Sequence, residues 1–333
     1  MNNKFSIIVP VYNGELTIEK CINSVLNQNY DYFEIVIVND GSSDNTLKVL
    51  EKYKDNKNIK IINKLNSGVS DARNKGIKTS SFDWILFLDS DDWIEPDSLV
   101  NLNKLINEYN PDYIITELIY SNSKHESYNS FLVKDKNEII DNIICTEYSK
   151  NINNKYMNCR CIGGKLVKRK LIEKKNICFP SGVKKFEDGI FNLKAVFESS
   201  SILYSSYQFY NYYYDNPNSR MNTFNEEEVK GNRAILKNIT EFLKENNIKT
   251  ESINYLSFYL FILSVDNIMH SKLSKKEVIG DLRNERKFYY PYFKDIKYKF
   301  LNGKKKIELF FSKMKNINLL YLIYLIKRDL LKK

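Results

Sequence analysis

Three short apolar runs constrain this chain more than any other feature: FSIIVPV at 5–11, EIVIV at 34–38 and WILFL at 84–88. Each has strand length, is rich in β-branched or aromatic residues, and is followed by a segment with helical spacing, such as Ile18, Ile22, Val25 and Leu26. A strand that is apolar on both faces must be covered on both faces, which is the condition of a parallel sheet sandwiched between helices. Weaker strand signals at 59–62 and 113–116 continue the alternation, with helices expected at 46–53 and 98–106 and a turn followed by a helix at 67–77. Residues 1–120 therefore read as a Rossmann-like α/β layer. In such a sheet ligands gather at the carboxyl ends of the strands. Two acidic groups sit at such ends, Asn39-Asp40 after the second strand and Asp89-Ser90-Asp91-Asp92 after the fourth, and both are expected to open on one crevice.

Several chemistries can be set aside. The chain has 333 residues, five cysteines and two histidines. Cys21, Cys145, Cys159, Cys161 and Cys178 are scattered and read as free thiols, and Cys159-Arg160-Cys161 is too sparse for zinc. His125 and His270 show no pairing pattern, so histidine triads are poor candidates. The N-terminus shows no leader pattern, and no apolar run reaches the ~20 residues of a spanning helix. The expectation is a cytoplasmic protein.

The acidic groups carry the chemistry. Two carboxylates one residue apart on a strand-ending turn can face one cavity, and hard cations such as Mg2+ or Mn2+ take such oxygens while sharing phosphate oxygens. Asp91 is the expected metal ligand; Asp89 suits metal or a ribose hydroxyl, with Ser90 on the donor side. The same tetrapeptide also suits a solvated turn that caps a helix. Asp40, followed by Gly41, suits a base or ribose contact, and Asp44 suits a helix cap. In Asn66 to Asn74, Gly68 permits close backbone approach at a helix start, and Arg73 suits either a phosphate or the acidic loops.

Read in order, SIIVPVYNGELTIEKCINSVLNQ, VIVNDGSSDNT, NSGVSDARNKGI and WILFLDSDDW resemble family 2 glycosyltransferases. The resemblance implies a GT-A fold and inverting transfer of a sugar from a nucleoside diphosphate sugar, usually a uridine one. It implies that Pro10, Val11, Tyr12 and Glu15 line the nucleotide, that Asp40 meets uracil, that Asp71 is a donor-site carboxylate (often Ala in the family), and that Asp89 and Asp91 bind metal. It extends to Lys185-Phe186-Glu187-Asp188, whose second acid matches the usual general base. An inverting displacement does need one carboxylate to take the acceptor proton opposite the leaving group; the pair also suits a helix N-terminus. The Tyr-rich stretch ending at Arg220 resembles the diphosphate-side loop. Trp93, Glu187 and Arg220 are the acceptor-side candidates.

The expected organisation is a catalytic domain at 1–220, with a donor half at 1–120 and an acceptor half at 121–220, followed by a helical, basic region at 221–333. Of the net charge of +10, +9 falls at 294–333, where 12 Lys and Arg meet three Asp and Glu. That segment suits an anionic membrane surface, a second subunit of a homo-oligomer, or docking on the chain itself. No nucleic-acid reading motif accompanies it. The expected partners are a nucleoside diphosphate sugar and a glycan, lipid-linked or protein-linked acceptor in surface-glycan synthesis. A processive membrane synthase would carry Gln-x-x-Arg-Trp, but the only tryptophans are Trp84 and Trp93 and neither follows Arg. A nucleotidyltransferase would carry a Gly-rich basic loop where Tyr12-Asn13-Gly14-Glu15 stands. The competing reading is a non-catalytic scaffold that binds nucleotide sugar or glycan.

Overall fold

The computed structural model describes residues 1–120, 128–144, 158–183, 185–213, 227–271, 273–297, 303–313 and 316–330. The apolar runs form the expected strands: β1 (Phe5–Val11), β2 (Phe33–Asp40), β3 (Ile59–Lys64) and β4 (Trp84–Phe87). They alternate with α1 (Ile18–Leu26), α2 (Thr46–Glu51) and α3 (Val69–Thr79). Then follow β5 (Trp93–Ile94), α4 (Ser98–Tyr109), β6 (Tyr113–Ile119), β7 (Ser130–Leu132), α5 (Lys136–Ile144), β8 (Lys165–Lys168), α6 (Arg169–Lys175), α7 (Glu187–Glu198) and β9 (Ile202–Asn211). One nine-stranded sheet runs β3-β2-β1-β4-β8-β6-β9-β5, with β7 also on β9.

The first four strands pair in parallel, as does β6 with β9. The fifth predicted strand, β6, does not continue that parallel run. β8 lies between it and β4, antiparallel to both. Its KLVK sequence has too little apolar content to be read as a central strand, although Lys165 is 1% exposed there.

The two-sided burial has two cores. Phe5, Ile7 and Val9 of β1, with Ile35, Ile37 and Leu86, face α1 and α4 through Ile18, Ile22, Leu99 and Leu102. On the opposite face, Gly76 of α3 lies directly against Ile8, so a Cβ there would strike the Ile8 side chain. Phe87 meets Phe179 and Phe191 edge-on at 5.2 and 5.5 Å, and those two rings stack at 4.2 Å.

The chain divides into two compact units. The first holds the sheet: Met1–Ile140, Lys155–Gly182 and Glu187–Ser219. The second comprises Asp141–Asn154, Val183–Phe186 and Arg220–Lys333. It contains α8 (Glu227–Glu245), α9 (Ser252–Met269), α10 (Lys275–Phe293), α11 (Gly303–Lys313) and α12 (Ile317–Leu330). Phe258 and Phe261 of α9 pack on Tyr289 and Phe293 of α10. A capping box of Ser274 and Glu277 starts α10. Among the described residues no helix is long and apolar enough to cross a membrane.

Candidate active site

The site starts where β4 leaves the sheet. Leu88 makes a last backbone bond to Ile8, and the chain turns into Asp89-Ser90-Asp91-Asp92. Asp89, Ser90 and Asp91 are half-buried, whereas Asp92 is 2% exposed. Its Oδ2 accepts from the Tyr210 hydroxyl at 2.6 Å and its Oδ1 from the Tyr213 N–H at 2.8 Å. The Tyr210 oxygen also accepts the Asp89 N–H at 3.1 Å. Asp92 thus fastens the acidic turn to the end of β9. Burial, with Asp89 adjacent, pushes its carboxyl up to about 8.

Arg73 joins this turn to α7. The side chain is 4% exposed. Nη2 donates to Asp89 Oδ1 at 2.9 Å and Nη1 to Asp188 Oδ1 at 2.6 Å, while Glu187 Oε1 lies 3.8 Å away. The Phe179 ring lies 5.2 Å from the guanidinium. Burial works against the charge on Arg73, and the three carboxylates more than offset it. Of the two roles open to Arg73 from sequence, holding the acidic loops is the one this geometry displays. Burial raises Asp188, with Arg73 opposing, and raises Glu187 to about 7, with Asp188 adding to it.

Asp188 is positioned by a loop that sequence reasoning missed. The Ile162 N–H donates to its Oδ2 at 3.0 Å. Asn192, one turn further along α7, donates to the carbonyls of Cys159, Arg160 and Cys161 at 2.9 to 3.1 Å and accepts from the Tyr113 hydroxyl at 2.7 Å. Lys165 Nζ donates to the Gly163 carbonyl at 2.8 Å. The available signal was Asn192 itself, a polar residue in the apolar run from Ile190 to Val196 and four residues from the candidate base. Lys165 gave no signal.

The nucleotide-side positions form a second group on the first turn of α3. Asp40 is 2% exposed and accepts from the Ser67 and Gly68 N–H groups at 3.0 and 2.9 Å and from Lys64. Gly68, the N-cap, sits at φ +97°, where a side chain would be strained. Asp71 accepts from Ser181 Oγ at 2.8 Å. Pro10 and Val11 are buried in β1, while Tyr12 is 42% exposed. Glu15 accepts from Asn45, and Asp44 reaches the Thr46 N–H at 3.0 Å from beside the actual N-cap, Asn45. Trp93 is half-buried, with the exposed Lys20 over one face of its ring. Arg220 and Cys145 lie outside the described residues; the other four cysteines are free thiols.

Residues 6–174 match the family model described as glycosyl transferase family 2, half of the chain. The chain belongs to that family. The family 2 chain is 30% identical over 269 residues to EpsH of Bacillus subtilis, a glycosyltransferase by designation, covering 78% of this chain and 74% of that protein. It is 29% identical over 217 residues to the poly(ribitol-phosphate) beta-N-acetylglucosaminyltransferase TarS of Staphylococcus aureus, covering 63% of this chain. It spans only 35% of that protein's length. The crystal structure of TarS 1–349 matches with a TM-score of 0.66 at 24% identity, over 98% of this chain and 91% of the fragment. The same fragment with UDP and with UDP-GlcNAc matches at 0.63 and 0.55. A mannosyltransferase from Pyrobaculum calidifontis, in complex with GDP-Man and Mn2+, matches at 0.53 with 13% identity, over 95% of this chain and 88% of that one. At these identities the structural likenesses establish a shared fold.

Proposed function

We propose that this family 2 glycosyltransferase moves a sugar from a uridine diphosphate sugar to an acceptor hydroxyl of a surface glycan or glycoconjugate, with inversion, and that Asp188 is the general base. The observation that carries the reading is the Arg73 bridge. One buried guanidinium holds the candidate base from α7 at 2.6 Å and the candidate donor-side carboxylate Asp89 at 2.9 Å. In that geometry each Asp188 oxygen has one donor among the described residues, and a carboxylate oxygen has two acceptor positions, so a hydroxyl can still bond there. A carboxylate raised by burial is also a better proton acceptor near neutral pH. The uridine donor is favoured by the UDP and UDP-GlcNAc complexes of TarS, and a polymeric acceptor by the poly(ribitol-phosphate) that TarS and a Bacillus spizizenii relative are named to glycosylate.

Asp89 and Asp91 fit a hard divalent cation, Mn2+ or Mg2+. They offer only carboxylate oxygens, and no group of three His, Cys, Asp or Glu able to hold an ion occurs among the described residues. That donor set suits an ion that takes one or two protein carboxylates and fills its shell with water and phosphate oxygens, and it does not suit zinc. Such an ion, when bound, would neutralise charge growing on the departing diphosphate. Asp188 takes the acceptor proton, Arg73 and the Ile162 N–H orient it, and Asp40 with Gly68 shapes the nucleotide end. Trp93, Glu187 and Arg220 are assigned to the acceptor side.

The test is Asp188→Asn. It should abolish sugar transfer while leaving UDP affinity within about twofold, because the substitution keeps shape and removes only the proton acceptor. Substantial transfer by the variant would exclude Asp188 as base. Tight nucleotide binding by the native protein, without transfer or hydrolysis of any donor, would favour the scaffold reading.

A further inference from the structure

The second unit holds a cavity of about 520 Å³ between α10 and the start of α12, lined by Arg283, Arg286, Lys287, Tyr290 and Asn318 among others, and by no acidic side chain among the described residues. That volume is within the range of small-ligand sites. Arg286 is partly committed, donating to the carbonyls of Ser312 and Lys313 at the end of α11 and lying over the Tyr290 ring at 4.6 Å. Arg283 and Lys287 are not. Both are exposed, and among the described residues neither has an ion pair or hydrogen bond. They stand four residues apart on one helix, an arrangement that repels by a few tenths of a kcal/mol unless an anion intervenes.

The same unit exposes apolar side chains on α11 and α12. Asn318 lines the cavity, and Leu322, one turn further along the same face of α12, is 49% exposed. On α11 the outward face carries Ile307 and Phe310 at 59% and 52% exposure, beside Lys306. These are three of the largest exposed apolar side chains in the protein's second unit, and they lie on two helices in the segment that supplies +9 of net charge. Cations that lack partners, with exposed Ile, Phe and Leu on the following two helices of the same unit, are the composition of a helix surface that rests in the headgroup layer of an anionic bilayer.

We propose that α10, α11 and α12 form a membrane-docking surface, with the cavity at Arg283, Arg286 and Lys287 receiving the phosphate of an anionic lipid headgroup. This does not depend on the catalytic assignment. The measurement is flotation of the full chain with phosphatidylcholine vesicles prepared with and without phosphatidylglycerol. Binding should require phosphatidylglycerol. The double variant Arg283→Gln/Lys287→Gln should weaken partitioning on the order of 30-fold, at ~1 kcal/mol for each cation at the surface. Phe310→Ser should weaken it further, and both variants should melt as the native chain does, since all three residues are exposed. Equal binding to neutral vesicles, or an unchanged double variant, would overturn the proposal. So would saturable binding of inorganic pyrophosphate without vesicle binding, which would make the cavity a site for a soluble anion. A dimer that Phe310→Ser dissociates, with no effect on flotation, would assign the apolar face to a second copy.

Discussion

Replacing Arg73 by Gln tests the site at its most connected point. The guanidinium is 2.6 Å from Asp188, 2.9 Å from Asp89 and 3.8 Å from Glu187. An opposite charge at such distances lowers a carboxylate by about 1–3 pH units. Removing it leaves burial and mutual repulsion, which both push upward, so Asp188 and Glu187 should rise further from values already above the usual range. The ionised base is then scarcer at neutral pH. The acid limb of kcat/KM should move to higher pH by about 1–3 units, a loss of about 10- to 1,000-fold below the limb that is recovered on raising pH. Arg73→Lys keeps the charge but cannot fork between two carboxylates, so its limb should stay near the native one while activity falls in part. Nucleotide release from the productive UDP-sugar, followed across pH for both variants, gives the comparison. An unmoved limb in Arg73→Gln, with KM for donor raised instead, would refute the reasoning and put Arg73 on the donor phosphate.

Chelation should abolish transfer, and Mn2+ or Mg2+ should restore it; full activity in chelator would remove the metal role of Asp89 and Asp91. Gly76→Ala forces a methyl into the Ile8 side chain and should lower stability by about 1–3 kcal/mol in urea unfolding; an unchanged midpoint would mean that α3 does not sit so tightly on β1. Asp92 should make stability depend on pH. Its folded value of about 8 lies above that of an unfolded aspartate, so the folded state holds the proton longer. The contribution is full below about pH 4 and is lost as pH rises through about 8. Asp92→Asn should flatten that part of the curve, and a native-like slope in the variant would assign it to another group.

The sheet was legible because its signal is local. β1 and α1 have the expected boundaries, since a strand buried on both faces and an amphipathic helix each declare themselves within ten residues. β8 was not legible. Lys165 and Lys168 flank Leu166 and Val167, and only the tertiary fold explains a fully buried lysine, whose ammonium caps the Gly163 carbonyl. β5 has two residues and is defined by its pairing with β9 rather than by a pattern of its own. At the site, the acids were readable one cluster at a time. What separates Asp92 from its neighbours is the Tyr210 hydroxyl, contributed 118 positions away, and no spacing rule reaches that far.

The same distance problem explains the design of the centre. Glu187 and Asp188 open α7, where the helix dipole favours negative charge, yet burial there works against it. A lone buried acid pair would simply protonate. An arginine saturating the pair through salt bridges in water would hold both ionised at low pH and make poor bases of them. Arg73 does something between. It is 115 positions from Asp188, is shared with Asp89 and is nearly excluded from solvent, so one cation faces three acids that repel one another. Burial, which the one cation offsets only in part, leaves Glu187 near 7 and Asp188 above the ordinary range. A proton acceptor is most useful when its own affinity lies close to the working pH. The sharing of one cation among three acids is therefore what would allow this pocket to exchange protons under neutral conditions, and it couples that exchange to the loop that carries Asp89 and Asp91.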